Sequence, residues 1–399
     1  MPSRRKFLRH ASTAALTLAA IPSVLSWALR SGMASGRDAS EAQTDIPLRG
    51  ADGLIVRSYR YTDLETPVED FNTWLTPVPR FFVRNHMHEP APGAAQTWQL
   101  TIGGEVEKPI TLNLNELSKL KTYSVVNTLE CAGNGRSLHR PRVAGVQWGK
   151  GAVGTARFSG PRLADVLDRA GVKPTGRFVM FRGGDIVPGT VPPFIRSVPI
   201  EKALDGDTLI ATHMNGSPLT LSHGFPARTL VPGWIGAASC KWLTEIKVLD
   251  KEFVGNFMSP AYRYPNQPVN PGDAVKPEDT HPLTALTVKS VIAAPTDGKI
   301  IPAGRVAIQG AAWAGEADIT RVEVSTDNGN TWADAVLGHD RARYAWRLWK
   351  FDWKAAKPGD YTVLSRATDT QGRTQPAAAA WNPSGYLYNA MDQVKIHVS

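Results

Sequence analysis

Apolar Tyr123, Val125, Val126 and Leu129 largely alternate with polar positions, the two-residue period of a strand, and Gly133-Asn134-Gly135 marks an abrupt turn just beyond them. The spacing therefore predicts that Cys131 sits where a strand ends and a loop opens. The same period predicts a hairpin over 96–110, turning at Gly103-Gly104, a buried strand over 177–181, and a strand with an Asn-Gly turn over 207–217. Helical spacing appears in two places: a short helix over 115–120, and an amphipathic one over 161–170 with Leu163, Val166 and Leu167 on one face. Residues 45–78 are mixed and rich in turn formers, a segment expected to wrap the domain that follows. Over 253–277 the composition shifts to Pro, Asn, Gly and Tyr with little periodicity, which reads as a long connecting loop. From His281 onward the pattern is all β. Runs at 306–309, 321–325 and 361–367 are separated by the turns Asp327-Asn328-Gly329-Asn330, Lys357-Pro358-Gly359-Asp360 and Gln371-Gly372, the signature of an immunoglobulin-like sandwich of about a hundred residues. The pattern gives an α+β protein in three parts: a leader at 1–42, a domain of mixed sheets and helices at 43–277, and a β-sandwich at 278–399.

Composition adds little to this and charge adds one thing. The 399 residues, 42% of them apolar, are enough for two or three domains with sizeable cores. The formal charge is +9, but Arg4, Arg5, Lys6, Arg9 and Arg30 of the leader supply five of those charges. The rest is spread without a basic stripe interleaved with aromatics, which argues against nucleic-acid binding. Ser3-Arg4-Arg5-Lys6-Phe7-Leu8, followed by an apolar stretch at 11–29 that Pro22 interrupts, is a twin-arginine export pattern. It predicts export to the periplasm in the folded state, with cleavage after Ala34 or Ala42. No later stretch is long and apolar enough to span a bilayer.

The candidate chemistry lies between the leader and the loop. Cys131 at a strand end can ligate a soft metal or attack an electrophile, and Arg136 can hold an anion beside it. The string from Arg80 to Pro90 sets Phe82, Arg84, Asn85, His86 and His88 close together, and His86 with His88 has His-x-His metal spacing. Asp185 follows the 177–181 strand, where an acid commonly caps a turn. His223, Arg228, Ser239 and Lys241 cluster in the sequence, offering cationic and hydroxyl donors for a phosphate. Cys131 and Cys240 are an even pair that export would permit to oxidise, at the expense of the thiolate.

The string CAGNGRS at Cys131, followed by GVQWGKGAVGTARFSGPRLADVL, resembles the molybdenum-binding segment of the sulfite oxidase family. Matching strings recur in order from Arg80 to Asn382. The resemblance implies a molybdenum-molybdopterin cofactor with Cys131 as the metal ligand. It implies a substrate side formed by Arg84, His86, Arg136 and Trp148, with Tyr262 or Tyr264 in place of the family's tyrosine. It also implies pterin contacts from Phe82, Asn85, His86, Asp185, His223, Arg228, Ser239 and Lys241. RVEVSTDNGNTW and GDYTVLSRATDTQGRTQP resemble the family's dimerisation domain, so a homodimer is expected. Two departures are visible. Ser384 stands where eukaryotic oxidases carry an arginine, and the loop between Arg136 and Trp148 is short, with Ala144 where a basic residue is usual. No Cys-x-x-Cys-His haem site occurs in the sequence, so the expected activity is a sulfite dehydrogenase, without haem, that gives its electrons singly to a periplasmic c-type cytochrome. The alternatives are the molybdenum subunit of a sulfane dehydrogenase and a non-catalytic exported binding protein.

Overall fold

The computed structural model describes residues 49–50, 52–91 and 93–399, so the leader lies outside the described residues. The predicted hairpin forms as β1 (Gln99–Gly104) and β2 (Ile110–Asn113), with Leu100 opposite Leu112 and Ile102 opposite Ile110, but Gly103 and Gly104 lie inside β1 and the chain turns over 105–109 instead. Gly104 adopts φ +86°, and a Cβ there would lie 2.0 Å from the Val248 carbonyl oxygen, so the close approach of the next strand requires glycine. The short helix α1 (Leu114–Ser118) is started by Asn113, whose side chain accepts from Glu116 N–H while the Glu116 carboxylate accepts from Asn113 N–H. Next come β3 (Tyr123–Glu130) and its antiparallel partner β4 (Val153–Gly160). The amphipathic helix α2 (Leu163–Ala170) buries Leu163, Val166, Leu167 and Ala170 and stops at Gly171, φ +68°.

The longer chain of sheet pairing continues through β5 (Phe178–Gly183), β6 (Ile195–Pro199), β7 (Leu209–Ala211), β8 (Arg228–Leu230) and β9 (Leu243–Leu249), with short two- to four-residue strands elsewhere in the domain. One sheet has the order β2-β1-β9-β5-β6, with β9 parallel to β1 and antiparallel to β5. The single strand expected over 207–217 is instead split. Leu209–Ala211 pairs with β8, whereas His213–Met214 pairs with β4, and the Asn215-Gly216 turn leads to Ser217–Pro218. The chain changes sheets at Thr212, a step that alternation alone does not mark.

The second domain is the expected two-sheet sandwich. Its strands are β10 (Lys289–Ala294), β11 (Lys299–Ile301), β12 (Gly304–Trp313), β13 (Ile319–Ser325), β14 (Arg347–Ala355), β15 (Gly359–Asp369) and β16 (Asp392–Val398). One sheet joins β10, β12 and β14, and the other has β11-β16-β15-β13, each with a short edge strand added. Ile308, Val322, Trp349, Val363 and Val394 fill the space between them. The described residues form one unit, and a single apolar core crosses from Ile102 and Phe181 to Trp313 and Trp346 of the sandwich. Phe71 sits at that crossing, with ring centroids 6.4 Å from Trp313 and 5.2 Å from Trp346.

Candidate active site

The strand β3 delivers Cys131 where the pattern predicted. Cys131 N–H donates to Ala152 O at 2.9 Å, and its own carbonyl accepts from Asn134 N–H at 2.8 Å, which turns the chain off the strand end. Gly135 then takes φ +87°. Burial pushes the Cys131 thiol up, while Arg84 and Arg136 pull it back toward the thiolate. Arg136 itself does not line the cleft that Cys131 faces. Its Nε donates to Ser384 O and its Nη1 to Val146 O, both at 2.9 Å, and its guanidinium lies 5.4 Å from the Tyr386 ring centroid. A Cβ on Gly133 would come within 2.4 Å of that guanidinium, so the loop is wrapped tightly around it. The charge expected to face an anion is thus spent on carbonyls behind the cysteine.

The cleft, about 740 Å³ with its opening to solvent included, draws its walls from segments far apart in sequence. From the Arg80–Pro90 string it takes Phe81, Phe82, Arg84 and His86; Asn85, 1% exposed, stands outside the lining. Asn85 Oδ1 accepts from Lys241 Nζ and its Nδ2 donates to Glu89 at 3.2 Å, so it fixes a lining cation from behind. Burial works against the Arg84 charge, but Asp63, 3.2 Å away, together with Tyr262 and Cys131 outweighs it and holds the guanidinium protonated more firmly than usual. His88 stacks edge-on against Tyr61 at 5.0 Å, away from this group.

A second wall carries Asp185, His223, Arg228, Ser239 and Lys241. Arg228 donates to His223 O and to Ser239 O, each at 2.9 Å, and the Ser239 hydroxyl accepts from Val231 N–H at 3.0 Å. Burial lowers Arg228 to about 10 and Lys241 to about 7, the latter helped by Arg228. Burial, then Lys241 and Arg228, drop His223 to about 3, and burial raises Asp185. Two atoms of this wall, Arg228 Nε and His223 Nε2, are buried with no hydrogen-bond partner among the described residues. Buried donors without acceptors are costly, and these two lie on a wall that is otherwise cationic. The donor set therefore fits a phosphate-bearing, polar-edged cofactor, with the Cys131 thiol as a metal ligand.

The third part of the cleft is aromatic. His86 stacks on Phe194 with centroids 4.2 Å apart and meets Phe257 and Tyr262 edge-on at 5.1 and 5.7 Å. Its Nε2 lies 2.5 Å from Tyr262 Oη. Burial, with Arg84, Lys241 and Arg196 adding to it, holds His86 well below the ordinary histidine range, so the imidazole is neutral. Of the two tyrosines considered, Tyr262 lines the cleft, while Tyr264 packs against His281. Tyr262 reaches its place with φ +58°, a left-handed backbone that a bulky residue adopts only under constraint. Trp148 is fully buried in the core with Phe81 and Phe158 and is not part of the lining. Four residues escaped the pattern reading: Asp63, Phe194, Trp242 and Arg196. Arg196 alone left a signal, as a charge inside the apolar strand β6; it is 1% exposed, donates to Phe257 O and lies 5.1 Å from the Tyr262 ring centroid. Cys131 and Cys240 are both free thiols.

Comparison with known proteins places this cleft. Residues 86–257 match the oxidoreductase molybdopterin binding domain, and 280–399 match the Mo-co oxidoreductase dimerisation domain. Mitochondrial sulfite oxidase of Rattus norvegicus is 35% identical over 381 residues, covering 90% of this chain and 68% of that protein. The chain belongs to the sulfite oxidase family. Mitochondrial sulfite oxidase of Homo sapiens is 36% identical over 382 residues, covering 91% of this chain and 69% of its own length. Among solved structures, the sulfane dehydrogenase SoxCD from Paracoccus pantotrophus aligns with a TM-score of 0.74 at 26% identity, covering 90% of this chain and 92% of that one. As a sulfite oxidase family oxidoreductase, the protein has molybdopterin as its implied cofactor. The family's binding domain holds most of the cleft lining, with Phe82 and Arg84 just ahead of it and Tyr262 just behind.

Proposed function

We propose that this chain is a periplasmic molybdenum-dependent sulfite dehydrogenase, which oxidises sulfite to sulfate and passes the electrons singly to an external c-type cytochrome. The observation that carries this reading is the buried Cys131 thiol, which shares one cleft with the carboxylate-paired cation Arg84 and with a wall on which Arg228 Nε and His223 Nε2 have no hydrogen-bond partner among the described residues. In this reading Cys131 Sγ ligates molybdenum. His223, Arg228, Ser239 and Lys241 hold the phosphate and ring edge of the pterin, with Phe82, Asn85 and Asp185 beside them. When bound, molybdenum-molybdopterin takes up two electrons as sulfite gains an oxygen atom derived from water, with release of two protons. Arg84 draws the sulfite dianion into the cleft and, held by Asp63, keeps one direction of approach. Neutral His86 adds no charge and shares a proton between its Nε2 and Tyr262 Oη at the substrate side, while Phe194 and Phe257 keep water from its ring. Arg136 acts on Cys131 from behind, favouring the thiolate, and Trp148 supports the wall as core.

The Arg4-Arg5 leader supports export with the cofactor already inserted, and the sandwich supports a homodimer. The first experiment measures molybdenum per chain and sulfite-dependent reduction of ferricyanide, on protein made in a host that supplies molybdopterin, with Cys131→Ser as control. Molybdenum near one per chain and activity lost in the variant support the reading. Rapid reduction of dioxygen by the pure protein would remove the word dehydrogenase. The structural likeness to SoxCD favours one second reading, a molybdenum subunit acting on protein-bound sulfur with a haem subunit; a full complement of molybdenum with no turnover of free sulfite selects it.

A further inference from the structure

The neighbour of Cys131 is a buried acid whose partners all but one come from the other domain. Glu130 ends β3 and is 3% exposed. Its Oε1 accepts from Lys289 Nζ at 2.5 Å and from Asn134 Nδ2 at 2.9 Å, and its Oε2 accepts from Trp313 Nε1 at 2.8 Å. Lys289 and Trp313 face each other across β10 and β12 of the sandwich, so their spacing is set by strand register. Asn134 continues the connection, since its Oδ1 accepts from Ala152 N–H at 3.0 Å, next to the cysteine's own anchor. The grip extends on both sides. Thr128 N–H donates to Tyr344 O and the Thr128 hydroxyl accepts from Trp346 N–H, each at 2.8 Å, and Ala132 O accepts from Leu387 N–H at 2.9 Å.

We propose that Glu130, Lys289 and Trp313 form a positioning triad by which the sandwich domain holds the Cys131 loop in its working geometry. The proposal rests on reading Cys131 as the metal ligand. None of the three touches the cleft, so each acts through the loop and not on the substrate. Sequence separation supports a role beyond local folding, because the loop could turn on its own glycines without any contact to residues 159 and 183 positions away. A carboxylate completely enclosed by one lysine, one indole and one amide also leaves the loop no second arrangement of equal satisfaction. The sandwich is therefore a working part of the active site as well as a dimerisation module.

The test uses the full chain in two forms, cofactor-free and molybdopterin-loaded, as wild type, Lys289→Met, Trp313→Phe and the double variant Glu130→Gln with Lys289→Met. In the cofactor-free form, alkylation by iodoacetamide is followed at Cys131 and Cys240 separately by mass spectrometry, together with amide hydrogen exchange over residues 131–138. Lys289→Met is expected to speed Cys131 alkylation and the exchange of that loop at least about tenfold, on the scale of losing a hydrogen bond to a charged group, with Cys240 unchanged. In the loaded form kcat falls by a similar factor and KM for sulfite stays. The double variant, neutral and close in shape, restores most of both. Should Lys289→Met not fold, Trp313→Phe shows the same local loosening at about threefold, the scale of one hydrogen bond. Equal acceleration at Cys131 and Cys240 would mean general loosening and overturn the proposal, as would a folded Lys289→Met with wild-type alkylation and kcat. If Cys131→Ser keeps its molybdenum, the ligand reading fails instead, and the alkylation and exchange results still judge the triad.

Discussion

Two strands show how differently the two domains use polar residues. In β16, DQVKIHV, burial alternates without a break, and the polar side chains except Asp392 point outward. In β3, YSVVNTLE, the last four residues are all buried, and three of them are Asn127, Thr128 and Glu130. The charges differ in the same way. In the sandwich Arg366 forms a fork on Glu323 at 2.9 and 3.0 Å, and Arg373 binds Asp369 at 2.7 Å. Of the arginines and lysines lining the cleft, only Arg84 has a carboxylate partner among the described residues; Arg228 rests on two carbonyls and Lys241 on a carbonyl and an amide. Glu323 and Asp369 of the sandwich each carry their own arginine as folded, whereas the cleft leaves Arg228 and Lys241 for an anion to complete. Substitution of these sandwich ion pairs, which lie apart from the Glu130 contact, should cost stability alone, and substitution in the cleft should cost chemistry first.

Cys131→Ser is expected to give the largest break, with molybdenum below about a tenth per chain and sulfite oxidation down at least about 10³-fold, as removal of a metal ligand implies. Metal analysis and ferricyanide reduction read it. Next, Arg84→Met should lower kcat/KM for sulfite about 10²-fold, the scale of a charge-assisted contact with an anion, and the loss should grow at low ionic strength, where the wild type benefits most from its charge. Smaller is the effect of pH on the cofactor-free protein. Lys241 is held at about 7, below the 10.5 of an exposed lysine. Between those values the unfolded chain binds more protons than the folded one, so stability rises as pH increases from about 7 toward 10.5. Thermal melts should show that rise, and Lys241→Met should flatten it. Glu323→Gln completes the comparison from the other side: a stability loss of about 1–2 kcal/mol by denaturant titration, with kcat and KM unchanged.

Much of this was legible in the chain because short-range pattern and local structure agree. Leu163, Val166 and Leu167 announced α2, the period through Val125 and Leu129 announced β3, and the glycines after Cys131 announced its turn. Legibility stopped where distant contacts decide. Arg136 looked like an anion ligand by type, yet its partner Ser384 lies 248 positions away and turns it inward. Thr212 carries no mark of the switch between sheets. Phe194 and Asp63 matter only because folding brings them against His86 and Arg84.

The cysteine loop also has a place in time. Its anchors include Ser384 O and Leu387 N–H, which leave the ribosome long after Cys131 itself. Domains fold as they emerge, N-terminal first, so the first domain is synthesised well before its own cysteine loop can be clamped. A nascent chain halted anywhere short of residue 387 carries an unclamped Cys131 loop, so loading of the implied cofactor is expected to follow translation instead of accompanying it.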